Sequence, residues 1–283
     1  MCLIAMALDQ RPDLPLVIAT NRDEFLHRPA ATLDWWQAAP SDVPLLGGRD
    51  LQAGGTWMGL SASGRLALLT NVRDPSRQKP TAPSRGAIVP AWLATQEPAR
   101  AFWHETAARG HNPFNLVAGD MSQGEWWWAD DRSSAPRMLG PGLYGLSNAT
   151  LDTPWPKVQR LKQALAAAVD GAASVAELEI LLFAALADRT TDPDEALPDT
   201  GVGLERERWL APAFIRSPDA RYGTRCSTLL IVERRADGHT AHVVERQFDA
   251  DGRAVGQRRA RLDRWPLPRG ETPPVRAEPL NPS

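Results

Sequence analysis

The chain opens on Cys2-Leu3-Ile4-Ala5-Met6-Ala7-Leu8, turns through residues 10–15, resumes with Leu16-Val17-Ile18-Ala19-Thr20, and then reads Asn21-Arg22-Asp23-Glu24. Two short apolar runs joined by a tight turn predict a pair of hairpin-linked strands. The polar block sits between Ala19-Thr20 and Phe25-Leu26, where burying four such residues is costly without a purpose. Asn21 with Glu24 three residues on also has the form of a helix capping box, so a cap and a functional cluster both stand as readings.

Working outward, glycines punctuate the chain at Gly47-Gly48 and Gly54-Gly55, and strands are expected at 56–60 and 65–71. The continuous apolar run 66–69 suits a strand covered on both faces. Helices are expected at 87–95 and 99–109, with Pro98 opening the second. Further strands are expected at 114–118, 125–129 and 143–146. Val158, Leu161, Leu165 and Val169 recur at helical spacing within 157–169, and 175–186 is a second helix. Strands at 227–233, 241–247 and 253–260 close the pattern. Paired helices between groups of hairpin-linked strands argue for an α+β domain with antiparallel sheets under helix layers; strict βαβ alternation would have indicated a parallel sheet. A single domain over 1–265 and a Pro-rich, disordered tail over 266–283 are expected.

Composition narrows the function classes. The 283 residues are 43% hydrophobic and 23% charged, with a formal charge of −2. That is an ordinary globular chain with no global field for nucleic acid. No window approaches the roughly 20 apolar residues of a membrane helix. The start of the chain lacks the basic region of a secretory signal. Two cysteines, Cys2 and Cys226, are too few for a disulfide framework, so a cytoplasmic location is expected.

Cys2 is the leading candidate nucleophile. Removal of Met1 before a small residue makes it the N-terminus, and its freed α-amine, a group that titrates at about 7.7–8.0 in unstructured peptides, is a base on the same residue. The plainer reading is a small buried hydrophobe at a strand start. Arg22 is expected to lower the thiol pKa, and Asp23 to hold an ammonium group. Asn71 and Asn148 each end a strand-like run and supply neutral donors suited to an oxyanion hole, though each is also an ordinary turn former. Arg225, beside Cys226, is placed to reach the same sheet end or to make a surface ion pair. His239 and His242, three apart on a strand, point to opposite faces and make poor zinc ligands. In Trp126-Trp127-Trp128 alternation sets one indole opposite the other two, with core packing the default role.

Cys2, Thr20-Asn21-Arg22-Asp23-Glu24, Gly54-Gly55-Thr56-Trp57, Thr70-Asn71-Val72-Arg73, Gly145-Leu146-Ser147-Asn148 and Tyr222-Gly223-Thr224-Arg225 together resemble the NRDE family, also called the Transport and Golgi Organisation protein 2 family. The resemblance implies a four-layer αββα sandwich of two antiparallel sheets, of the N-terminal nucleophile hydrolase type. A more distant likeness, to cysteine acylases of the penicillin V acylase and bile salt hydrolase group, implies a catalytic set of Cys2, Arg22, Asp23, Asn71, Asn148 and Arg225. Those acylases space their Arg and Asp three apart, whereas Arg22 and Asp23 are adjacent. Asn21, Trp57 and Thr70 are the expected substrate-binding residues.

Two functions follow. One is an amidohydrolase or thioesterase acting on a small acylated substrate, with no cofactor. The other, from family links to haem and acyl-CoA, is a non-catalytic carrier of a hydrophobic anionic ligand, with haem as the possible bound group.

Overall fold

In the computed structural model, which describes residues 2–267 and 278–279, fourteen strands and five α-helices are arranged in four layers. In chain order they are β1 (Cys2–Arg11), β2 (Leu14–Phe25), β3 (Ala30–Gln37), β4 (Pro44–Asp50), β5 (Met58–Ser61), β6 (Arg65–Asn71), α1 (Ile88–Ala94), α2 (Ala99–Ala108), β7 (Phe114–Asp120), β8 (Glu125–Asp130), β9 (Arg137–Met138) and β10 (Gly142–Leu146). Then follow α3 (Pro156–Gly171), α4 (Val175–Leu186), α5 (Leu204–Leu210), β11 (Tyr222–Arg235), β12 (Gly238–Phe248), β13 (Ala254–Leu262) and β14 (Glu278–Pro279). One antiparallel sheet runs β10-β1-β2-β11-β12-β13-β14, the other β3-β4-β5-β6-β7-β8-β9.

Period-two alternation sorts the side chains into three cores. Ile4, Met6, Leu16 and Ile18 meet Leu66, Leu68 and Val117 between the sheets. Leu3, Ala5, Val17 and Ala19 face Leu161, Leu165 and Leu182 of α3 and α4. Ala67, Leu69 and Leu116 of the second sheet face Val89, Trp92 and Trp103 of α1 and α2. The layering is therefore αββα, as the resemblance implied.

The capping-box reading of the polar block does not hold. Strand β2 runs straight through it to Phe25, because β1 on one side and β11 on the other supply ladder partners, with Cys2 opposite Arg22 and Tyr222 opposite Phe25. The three indoles divide as alternation expects: Trp126 packs between the sheets, Trp127 packs edge-on against Trp92 at 5.1 Å, and Trp128 donates to Asn115 Oδ1 at 3.2 Å. Core packing is their role.

Past the domain boundary expected at residue 265, the Leu267 N–H donates to Ala62 O at 2.8 Å and β14 pairs with β13. The rest of the expected tail lies outside the described residues. Among the described residues no helix is long and apolar enough to cross a membrane.

Candidate active site

The ladders place Cys2, Arg22 and Cys226 in one row across β1, β2 and β11, so their side chains share the face toward the second sheet. Arg22 lies with its guanidinium carbon 4.2 Å from the Trp57 ring centroid and its Nη2 3.3 Å from Asp50 Oδ2. Its Nη1 is buried with no hydrogen-bond partner among the described residues. Asp50 is itself fixed: Arg28 Nε donates to Oδ2 at 2.6 Å, and the amides of Gln52 and Ala53 donate to Oδ1 at 3.0 Å. Burial works to raise the Asp50 carboxyl, but these donors outweigh it and hold it below its ordinary value. Gly55 keeps the following loop close, since a Cβ there would meet Gly86 O at 2.2 Å.

Burial pushes the Cys2 thiol above its ordinary value, and the charges of Asp23 and Glu24 add to this. Positive charge at the start of the chain and Arg22 both pull the thiol down, in the direction expected of Arg22, but burial prevails and the thiol needs a base. Asp23 follows Arg22 on β2 and borders the same cavity as Cys2. Burial raises its carboxyl; positive charge at the start of the chain, Lys157, a 2.7 Å bond from Thr224 Oγ1 and Arg73 oppose that rise.

The two asparagines meet from opposite sheets and do unequal jobs. Asn148 Nδ2 donates to Asn71 O at 3.0 Å and to Asn71 Oδ1 at 3.1 Å. Its own Oδ1 lies 3.1 Å from Ser147 Oγ and 3.4 Å from Arg73 Nη2, which fixes the orientation of the amide. Asn148 is spent on these bonds. Asn71, by contrast, lines the same cavity as Cys2, and its Nδ2 makes only a 3.4 Å contact to Val72 O. The donor available to a reacting carbonyl is Asn71.

Behind the pair, Arg73 forms a short ion pair with Glu207 of α5 and stacks 4.9 Å from the Trp155 ring centroid. Glu207 also accepts from the Thr200 hydroxyl at 2.5 Å. Lys157 donates to Leu210 O at 2.8 Å. Burial, with repulsion from Arg73, lowers Lys157 from 10.5 to about 7, against the pull of Asp23 and Glu207. A lysine with a depressed folded pKa binds fewer protons folded than unfolded above pH 7, so its contribution to stability grows as pH rises. The urea midpoint of the wild-type protein is therefore expected to climb relative to that of Lys157→Met between about pH 7 and 8.5. That window stays below the ordinary thiol value of 9.0, where Cys226, raised by burial, begins to act in the opposite sense. A difference that stays flat across it refutes the assignment.

Cys2, Arg22, Asp23, Trp57 and Asn71 therefore border one cavity of about 510 Å³, together with Arg85. Four expected site residues do not border it: Asn148 holds Asn71 from outside its lining, and three others are committed elsewhere. Asn21 faces the helices on the other side of the sheet: its Nδ2 donates to Leu186 O and Ala213 O at 2.8 and 2.9 Å, and Ser227 Oγ donates to its Oδ1 at 2.6 Å. Thr70 is wholly buried, donating to Ser147 O at 2.7 Å and accepting from Asn115 at 3.1 Å, which stitches the sheets together. Arg225 falls at an irregularity in the β2–β11 ladder, and its Nη1 donates to the carbonyls of Phe25, Leu26 and Arg28 at 2.8–3.1 Å, holding the turn after β2. Asn21→Ala is expected to cost about 2–3 kcal/mol in denaturant unfolding through its orphaned buried partners. A loss below the error of that measurement would return Asn21 to the list of ligand-binding candidates.

Asp50, Arg85, Lys157 and Glu207 carried no local signal. Arg73 stood in a motif block without a role.

A family model described as Transport and Golgi organisation 2 matches residues 1–250. The Transport and Golgi organization protein 2 homolog of Bos taurus is 35% identical over 271 residues, covering 89% of this chain and 95% of that one. The Homo sapiens homolog is 34% identical over 271 residues with the same coverage. Among solved structures, a Caenorhabditis elegans N-acylethanolamine-hydrolyzing acid amidase ortholog aligns with a TM-score of 0.45 and 11% identity, covering 81% of this chain and 92% of that one.

Proposed function

The chain belongs to the Transport and Golgi organisation 2 family, and from that premise we propose that it is an N-terminal cysteine hydrolase cleaving a non-peptide amide or a thioester of a small acylated substrate. The observation that carries this reading is the meeting of Cys2, Arg22, Asp23 and Asn71 on one cavity.

Removal of Met1 frees the α-amine. That amine takes the Sγ proton, which a thiol raised by burial does not lose unaided. The thiolate attacks the carbonyl carbon, and the electron pair of the C=O bond moves to oxygen, where Asn71 Nδ2 donates to it. Arg22 stabilises the anionic sulfur beside it, and Asp23 holds the α-ammonium. Collapse expels the leaving amine or thiol, which takes the proton from the α-ammonium and leaves a thioester on Cys2. The α-amine then removes a proton from water, hydroxide attacks the thioester, and the carboxylic acid departs as Sγ is reprotonated. No cofactor enters this sequence, and the proposed setting is the cytoplasm.

Intact mass of protein produced without an N-terminal tag tests the premise, with loss of Met1 seen as about 131 Da. Brief exposure to an activated acyl thioester is then expected to add one acyl mass, mapped to Cys2. Retained Met1, or acylation elsewhere only, sinks the reading.

A further inference from the structure

We propose that a second cavity, of about 850 Å³, receives the apolar part of the substrate, and that Arg85 binds an acidic group on the same molecule. The proposal deepens the hydrolase reading but makes its own claim about binding. The two cavities share a wall of Glu24, Asn71 and Arg85. A ligand whose carbonyl lies against Cys2 and Asn71 therefore extends from one into the other.

Both cavities carry charged residues, Arg73, Asp74, Glu205 and Arg206 among them in the larger, but the larger adds an aromatic floor: Phe25 meets Tyr222 edge-on at 5.3 Å, and Tyr222 lies 5.8 Å from Trp209. Phe25 is 50% exposed there, an apolar surface that a ligand's chain would cover favourably. The Cys2 cavity lacks that floor of Phe25, Tyr222 and Trp209 and suits the polar leaving group.

The cations around the shared wall differ in commitment. Arg22 and Arg28 both pair with Asp50, and Arg73 pairs with Glu207. Arg85 makes no ion pair among the described residues; its Nη1 donates to Pro113 O at 2.8 Å. An unpaired, half-buried guanidinium is costly to keep, and a carboxylate is its matching acceptor. Glu24 attracts Arg85 from a distance, but its carboxylate is shared with Arg22 and Arg28, 3.9 Å from each, and burial still outweighs that attraction at Arg85. The substrate class that fits is an amide with a long apolar acyl chain on one side and a carboxylate a few bonds from the nitrogen on the other, as in N-acyl amino acids.

Calorimetric titration of Cys2→Ala with N-acylglycines from acetyl to dodecanoyl tests the cavity without turnover. Affinity is expected to rise about fourfold per methylene while the chain fits, and Trp209→Ala in that background is expected to flatten the rise. N-dodecanoylglycine is expected to bind about tenfold or more tightly than N-dodecanoylethanolamine, and Arg85→Gln to erase that preference. Affinity independent of chain length, or a carboxylate preference that survives Arg85→Gln, overturns the proposal. Chain-length-dependent binding of compounds that the wild-type protein never hydrolyses keeps the subsite and refutes the hydrolase reading instead.

Discussion

Cys2→Ala is expected to lower acyl-amide turnover by about four to six orders of magnitude, and a chain with an uncleaved N-terminal extension ahead of Cys2 is expected to fall nearly as far. The first loss is that of the nucleophile. The second isolates the base, because the extended chain keeps the thiol, Arg22, Asn71 and the cavity but converts the α-amine into an amide. The pairing matters here because burial raises the Cys2 thiol. A thiol below its ordinary value would react without help, and an extension would then cost little. Cys2→Ser adds a third measurement: it preserves the amine and the fold, so it is expected to show residual but strongly reduced turnover. Single-turnover rates on the three proteins, each matched for urea midpoint, separate these roles. Full activity in the extended chain would exclude the α-amine and leave an ordinary thiol.

Most of the sandwich was legible because its strands and helices are runs of the expected period. The apolar runs in β1, β2 and β6 and the helical spacing in α3 each identify an element without reference to the rest. Two of the elements that hid, β3 and α5, did so for plain physical reasons. Strand β3 lies at a sheet edge, where half-buried residues such as Ala31, Thr32, Asp34 and Trp35 give no alternation. Helix α5, Leu204-Glu205-Arg206-Glu207-Arg208-Trp209-Leu210, is too short and too charged to show a periodic face. Site residues were misplaced where chain adjacency stood in for spatial direction. Asn21 and Arg22 are neighbours in sequence, yet the strand period of two sends them to opposite faces. Arg225 follows the same rule until the ladder slips between Thr224 and Cys226, a shift that no sequence pattern announces. Asp50 reaches the site from the end of β4, Arg85 from the connection between β6 and α1, and Glu207 from α5, so only the folded chain brings them together.

Asn71→Ala is expected to reduce kcat by about 10²–10³ with little change in KM or in the unfolding midpoint, because the amide it removes faces the cavity and contributes most when charge develops on the carbonyl oxygen. Asn148→Ala is expected to behave differently. Its Nδ2 holds Asn71 through both O and Oδ1, and its Oδ1 receives Ser147 and Arg73. Removing it leaves several buried polar groups unpaired and lets Asn71 rotate, so both kcat and stability fall together. Breaking the Arg73–Glu207 pair by Glu207→Gln extends the same logic outward. A buried ion pair that loses one partner costs about 3–5 kcal/mol, and the stability loss there should exceed that of either asparagine variant. The ordering is the test: catalysis without stability for Asn71, both for Asn148, stability foremost for Glu207. Asn71→Asp sharpens it, since an isosteric carboxylate replaces the donor with a like charge at the developing oxyanion and should be at least as slow as alanine. Unchanged turnover in Asn71→Ala, or a loss in Asn148→Ala with no fall in stability, would exchange the two roles and make Asn148 the donor.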